Sequence, residues 1–320
     1  MNGKLYDCVI VGGGPAGLTA AIYIARYHLD VIVVEDGRSR AAMIPLSHNH
    51  AGFPDGIAGT ELLARMRSQA AKYGVKFRLG HVETLVKTGE SFLLSLSEND
   101  VLFAKSVLLA TGVHNHRPIM SDSEHDSAVE RGLLRYCPVC DAYEITGRRI
   151  GVIGTGDRGV NESVFLRSFT DDITLMSPAE GHDLSPEHRA RLDAFGIKTI
   201  SGPIAGYEYD DDSVIVTTVK GKISFNSVYA ALGSDVRSEL TEMLGAKRTE
   251  EGCVIVDRHQ RTNIPGLYAA GDVVLGLDQI SHAMGQASVA ATAIRNDLFE
   301  TSLVGAETYP SDLKRSTMSR

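Results

Sequence analysis

A single stretch near the N-terminus limits the possible folds more than any other. Asp7-Cys8-Val9-Ile10-Val11 is a short β-branched apolar run, and Gly12-Gly13-Gly14-Pro15-Ala16-Gly17 follows it at once. Leu18 to Tyr27 then reads as a helix with Ala20, Ala21 and Ala25 on one face, and Val31 to Val34 as a second apolar strand closing on Glu35. Gly14 and Glu35 stand 21 positions apart (35 − 14), the spacing of a dinucleotide-binding βαβ unit. Each residue has a physical task. Gly12 permits the tight turn, Gly14 lets main chain approach a pyrophosphate, and Gly17 allows helix and strand to pack closely. The helix start offers unpaired N–H groups to an anion, and Glu35 can accept bonds from ribose hydroxyls.

The pattern recurs. Arg149 to Ile153 is a strand, Gly154-Thr155-Gly156-Asp157-Arg158-Gly159 repeats the glycine spacing, and Val160 to Phe169 reads as a helix. The next strand, Ile173 to Met176, ends in Ser177-Pro178-Ala179, with neither an acid for a ribose 2′-hydroxyl nor an arginine for a 2′-phosphate. A chain of 320 residues, 43% hydrophobic and 22% charged, accommodates about two domains. The expectation is an α/β protein with two Rossmann-like, three-layer dinucleotide-binding domains, the second inserted in the first.

The formal net charge of −8 and pI near 5.8 argue against nucleic acid as a partner, because phosphate backbones require clustered Lys and Arg. No run approaches the ~20 apolar residues of a membrane span. Met1 to Val11 has neither a basic n-region nor a small-residue cleavage site, so a cytoplasmic protein without membrane attachment is expected. Four cysteines do not make a disulfide scaffold.

Between the two glycine loops, Ser47 to Pro54 forms a turn-rich loop. His48 and His50 in it form a His-x-His pair without neighbouring Cys, Asp or Glu at metal-ligand spacing, so a ligand-lining or solvated loop is expected. Thr60 to Tyr73 has helical periodicity. Val75 to Phe77 opens a region that reads as antiparallel, with strands at Val82–Val86, Ser91–Leu96 and Val101–Ala104. Ser106 to Ala110 is a separate apolar strand ending in Ala110-Thr111-Gly112, and 115–131 reads as an irregular polar linker. Pro186 to Phe195 reads as a helix. Tyr207–Tyr209, Ser213–Val219, Ser224–Leu232 and Glu251–Asp257 read as strands. Leu267 to Ala270 leads to Gly271-Asp272 and a long small-residue helix, Ser281 to Phe299. The polar tail from Glu300 reads as mobile, although Tyr309 in it could stack near a bound ligand.

Tyr136-Cys137-Pro138-Val139-Cys140-Asp141 carries the reactive chemistry. Pro138 suits a first helical turn, so the pair is expected to open a helix whose dipole would lower a thiol pKa. Cys-x-x-Cys in such a protein is catalytic or metal-binding. Structural zinc needs four ligands, and Cys8 and Cys253 lie isolated in apolar strand patterns, so no metal site is expected.

In order and spacing these motifs resemble the low-molecular-weight thioredoxin reductases, two-domain members of the pyridine-nucleotide disulfide oxidoreductase flavoproteins. The carriers are Gly12 to Gly17 with Glu35, the Asn49-His50-Ala51-Gly52 loop, Ala110-Thr111-Gly112, Cys137 to Asp141, and Ala270-Gly271-Asp272 with Gln279. They span nearly the whole chain. The resemblance implies an FAD domain from 1–115 and 246–320, interrupted by a NAD(P)H-binding-like domain, 116–245, that carries the dithiol. It implies FAD held by Gly12, Gly14, Pro15, Ala16, Gly17, Glu35, Asn49, Val82, Thr111, Gly112, Gly271, Asp272, Gln279 and Ile280, and a weaker NAD(P)H site at Gly154, Gly156 and Gly159. Cys140 would face the flavin, Cys137 would exchange with the substrate disulfide, and Asp141 would supply or take the proton. A helix N-terminus near Gln286 and Ala287 would face the reduced flavin. The partner would be a thioredoxin-like protein or a small disulfide, and the assembly a homodimer.

Two departures stand out. The family's His-Arg-Arg run, which grips the NADPH 2′-phosphate, falls on Ser177-Pro178-Ala179, and Asp278 precedes Gln279 where Arg is frequent. NADPH and NADH therefore stay open as donors, with ferredoxin or another non-nicotinamide donor as an alternative. The dithiol segment also resembles flavoproteins that oxidise small dithiols with oxygen. Those usually carry His at the position of Asp141, which favours the reductase reading.

Overall fold

A computed structural model describes residues 4–97 and 100–307. Tyr309 lies outside them. The chain divides into two compact units, one of Met1–Ser39, Ala64–Gly112 and Arg237–Arg320, the other of Arg40–Leu63 and Val113–Val236.

The first unit is built on a sheet whose parallel part runs, in spatial order, Lys76–Leu79, Val31–Glu35, Leu5–Val11 and Asp100–Leu109. Leu267–Ala269 pairs parallel with the end of the last of these. Helices Pro15–Arg26 and Ile280–Glu307 pack on it through small residues. Ala20, Ala21, Ala287, Ala290 and Ala291 are fully buried, so the two helices approach closely. Three expectations change here. Lys76–Leu79 joins the parallel sheet, not the antiparallel region, because Phe77 registers with Val33. Val101–Ala104 and Ser106–Ala110 are one ten-residue strand, Asp100–Leu109. Its first half pairs antiparallel with Ser91–Ser97, and its buried end, residues 106–109, meets parallel neighbours. The last helix continues to Glu307, past the expected tail start, and the Thr301 hydroxyl donates to the Asp297 carbonyl within it.

The second unit has a parallel sheet in the order Lys198–Gly202, Ile173–Glu180, Ile150–Gly154, Ser227–Ala231, Leu134–Arg135. An antiparallel meander, Gly206–Tyr209, Val214–Thr218 and Gly221–Phe225, accompanies it. The expected single strand Ser224–Leu232 is thus two, in different sheets, broken at Asn226, whose Oδ1 accepts from the Arg149 N–H. Lys198–Gly202 has no counterpart in the sequence reading. The polar linker contains a helix, Asp122–Glu130, started by a reciprocal capping box between Ser121 and Glu124. In the first unit, Glu251–Asp257 contributes only isolated bridges through Val254. Among the described residues no helix is long and apolar enough to cross a membrane.

Candidate functional site

Cys137 and Cys140 are joined in a disulfide. Cys137 is the N-cap of a one-turn helix, Pro138–Asp141, with Pro138 at its first position. The Cys140 N–H donates to the Cys137 carbonyl at 2.9 Å, which closes the loop around the two sulfurs. A disulfide has no thiolate to offer a metal, and among the described residues no group of three or more His, Cys, Asp or Glu could hold one. Cys8 is buried in its strand, and burial pushes its thiol up to about 12.

Asp141 is gripped on both oxygens. Arg135 donates to Oδ2 at 2.7 Å and Tyr229 donates to Oδ1 at 2.7 Å. The fold explains the convergence. Leu134–Arg135 lies parallel to Ser227–Ala231 with Tyr229 directly opposite Arg135, and residues in register on neighbouring strands share a face. Arg135 is itself held by the Gly132 carbonyl and Ser227 Oγ. Burial raises the Asp141 pKa, opposed by Arg135 and by the Tyr229 hydrogen bond, with Glu144 adding to the rise. Burial and the neighbouring carboxylate push the Tyr229 phenol far up, so it stays a donor. Arg135 and Tyr229 are absent from the sequence reading: Tyr229 reads as an apolar strand residue, and the parallel pairing that brings it to Asp141 has no local signal.

In the first unit, Gly12 has φ +114° and an added Cβ would lie 2.2 Å from the Ala110 carbonyl oxygen. At Gly17 an added Cβ would lie 1.9 Å from the Gly12 oxygen, and at Gly13 1.8 Å from Glu35 Oε2. At Gly12 and Gly17 the clash is with main chain, so the loop tolerates only glycine there, whereas at Gly13 it is with the Glu35 side chain. Gly14 is the N-cap, Pro15 the first helical residue, and no side chain caps the helix start, which leaves its first-turn N–H groups free of side-chain partners. Glu35 lies beside Gly13 and is ion-paired with Arg67, which also stands over the Phe77 ring. Ala16 touches the position a Cβ on Gly271 would occupy, at 2.9 Å, and Gly271 has φ +84°. The Gly271 N–H donates to Gln286 Oε1 at 2.8 Å, with Asp272 half-buried next to it. An uncapped helix start, a close glycine cradle and an acid beside it fit the pyrophosphate and ribose of FAD.

The remaining predicted contacts fall as follows. Thr111 donates to the Arg237 carbonyl at 2.5 Å and Gly112 has φ +67°. Val82 is buried. Gln279 immediately precedes the last helix and its carbonyl accepts from Ala283 N–H, with Ile280 the first helical residue. The positive end of that helix is therefore at Ile280. Gln286 and Ala287 lie more than a turn inside it, which corrects the expected placement, and Gln286 instead holds the Gly271 main chain. Asn49 donates to the Val139 carbonyl at 3.4 Å and so reaches the disulfide loop, while His50 stacks on Phe53.

The second glycine loop differs in what covers it. Gly154 and Gly159 pack within a Cβ's reach of each other, as a βαβ turn needs. Yet the Gly156 N–H donates to the Asp183 carbonyl at 2.8 Å, and Thr155 Oγ lies 2.9 Å from His182 Nδ1 and donates to the Asp183 carbonyl at 3.1 Å. Asp157, in the first turn, is paired with His188 at 2.9 Å. The strand before this segment runs to Glu180 rather than stopping at Met176, and the Ser177 hydroxyl is used by the Ala179 carbonyl.

The chain matches the pyridine nucleotide-disulphide oxidoreductases over residues 6–287. It is 30% identical to a thioredoxin reductase of Listeria innocua over 299 residues, 90% of this chain and 92% of that protein. Among solved structures, a thioredoxin reductase from Streptococcus pyogenes superposes with TM-score 0.85 at 29% identity, covering 92% of this chain and 99% of that one. HlmI superposes with TM-score 0.87 at 28% identity, covering 96% and 98%. The chain therefore belongs to the pyridine nucleotide-disulphide oxidoreductases and is a flavoprotein disulfide oxidoreductase of thioredoxin-reductase type.

Proposed function

We propose that the chain exchanges electrons between FAD and the Cys137–Cys140 pair, and between that pair and the disulfide of a thioredoxin-like protein or a small disulfide. In this reading the first unit holds FAD and the second carries the dithiol. The carrying observation is the disulfide at the start of its one-turn helix, followed at once by a carboxylate held on both oxygens. FAD, when bound, supplies two-electron redox chemistry. Gly12, Gly14, Gly17 and the uncapped helix start would take its pyrophosphate, Glu35 its ribose, and Gly271-Asp272 its flavin-side phosphate. Cys137 would exchange with the substrate disulfide and Cys140 would face the flavin. Asp141 would give a proton to the departing sulfur and recover it on the return, because sulfur leaves more readily as a thiol than as a bare thiolate. The thioredoxin reductases among its relatives support a thioredoxin-type partner, and the resemblance supports a cytoplasmic homodimer.

The family implies a nicotinamide cofactor beside FAD, and we infer that this chain holds it weakly, NADPH and NADH both open, with ferredoxin or another non-nicotinamide donor as the alternative. What supports this is the second glycine loop. Its Gly156 N–H is already bonded to the Asp183 carbonyl, Asp157 adds negative charge where phosphates would approach, and Ser177-Pro178-Ala179 offers no cation. Anaerobic titration with NADPH, then NADH, then dithiothreitol, followed by flavin absorbance, tests both halves. Full bleaching by dithiothreitol with slow bleaching by either nicotinamide is the expected result. Rapid bleaching by NADPH or NADH overturns the weak site, and none with either favours the alternative donor. An unchanged disulfide turnover in Cys140→Ser overturns the relay.

A further inference from the structure

We infer that Arg135 and Tyr229 are positioning residues that fix Asp141 as the proton carrier of the disulfide, one donor on each carboxylate oxygen. This rests on the relay proposed above and adds to it the residues that set when the proton moves. Asp141 directly follows Cys140 on the same helical turn and therefore moves with it. The clamp is built from elements that the disulfide loop does not include. Arg135 comes from the edge strand Leu134–Arg135 and is braced by Gly132 and Ser227, and Tyr229 comes from the fully buried strand beside it. A carboxylate bonded on both oxygens cannot rotate freely, so its proton is offered in one direction.

The charged and titratable groups facing Asp141 are Arg135 from the edge strand, Tyr229 from the inner strand and Glu144 from the turn that follows. The first two favour the ionised carboxylate and Glu144 opposes it, while burial favours the protonated acid. The balance leaves a carboxyl above its ordinary value and able to donate.

The step balances as follows when dithiothreitol is the reductant. Its thiolate attacks Cys137 Sγ. The S–S bond breaks, its electron pair goes to Cys140 Sγ, and Asp141 gives that sulfur its proton. The second dithiothreitol thiol then displaces Cys137, forms the cyclic disulfide, and leaves its proton to restore Asp141 or Cys137. The reductant is oxidised by two electrons and the protein disulfide is reduced by two.

The test uses this reaction because it requires neither flavin reduction nor the physiological donor. The rate of opening of Cys137–Cys140 by dithiothreitol, trapped by alkylation and divided by the dithiothreitol thiolate concentration, is measured from pH 4 to pH 9. In the wild type this rate falls as pH rises through the Asp141 pKa, and in Asp141→Asn the limb is absent. Tyr229→Phe, which removes only the hydroxyl, and Arg135→Gln each move the limb upward by about one pH unit. That is the tenfold change in proton affinity that loss of one charge-assisted hydrogen bond produces. Arg135→Lys returns it part of the way. A limb at the wild-type pH in both Tyr229→Phe and Arg135→Gln overturns the inference, as does a limb that survives in Asp141→Asn. If instead the chain reduces no protein disulfide with any donor while the limb moves as described, the relay proposal fails and the clamp stands.

Discussion

Glu162 lies on the Gly156–Leu166 helix of the second unit, and its Oε2 is buried without a hydrogen-bond partner. Burial pushes its carboxyl up to about 7, opposed by Arg158 one turn earlier. The rise from 4.5 to about 7 corresponds to about 3 kcal/mol of lost stability once the group is ionised in both folded and unfolded chains. The sign follows from proton binding. The folded chain binds this proton more tightly than the unfolded chain, so the associated stability is full below pH 4.5 and is lost as pH rises to about 7.

Glu162→Gln keeps the shape and removes the charge. Urea unfolding, followed by far-UV circular dichroism at each pH, is expected to show the variant more stable than wild type by about 1 kcal/mol at pH 5 and by about 3 kcal/mol at pH 8. Arg158→Ala should move the wild-type transition in stability to higher pH, because the cation holding the carboxyl down is gone. A Glu162→Gln effect that is the same at pH 5 and pH 8, or a variant less stable at pH 8, refutes the reasoning.

Three further outcomes are expected. Gly17→Ala, whose Cβ would lie 1.9 Å from the Gly12 oxygen, must displace the first loop, and the flavin content, read as the ratio of visible to ultraviolet absorbance, should fall by about tenfold. Cys140→Ser should leave flavin content unchanged and abolish turnover with a protein disulfide, with Cys137 titrating as a free thiol. Asp297 accepts two bonds from Arg261 and one from Tyr268, and although burial alone would raise its pKa, these donors hold it below the carboxylate range. Asp297→Asn should cost about 1–2 kcal/mol at pH 7, with the difference holding down to the ordinary Asp pKa and shrinking as pH falls below it, in the same urea experiment.

What could be read from the sequence, and what could not, divides by range of interaction. The glycine loops, the Pro138 helix start and the Cys-x-x-Cys spacing are fixed by residues a few positions apart, and each forms as the local chemistry dictates. The helix in the expected linker also had a local signal, Ser121 three positions before Glu124, which the polarity of the segment obscured. The clamp on Asp141 had none, because it depends on Tyr229 lying opposite Arg135, 94 positions earlier (229 − 135), in a parallel pair two residues long. The occupied second glycine loop is a matter of pairing as well. The Ile173–Glu180 strand continues because Glu180 finds Gly202 across the sheet, where an added Cβ would lie 2.1 Å from the Ala179 oxygen. That pairing carries the chain to Asp183 and sets its carbonyl on the Gly156 N–H. The same glycine spacing therefore gives a loop against Glu35 in one unit and a turn bonded to the Asp183 carbonyl in the other. What separates them is the strand that follows: one ends in Glu35 beside its loop, whereas the other runs on and folds back over its own.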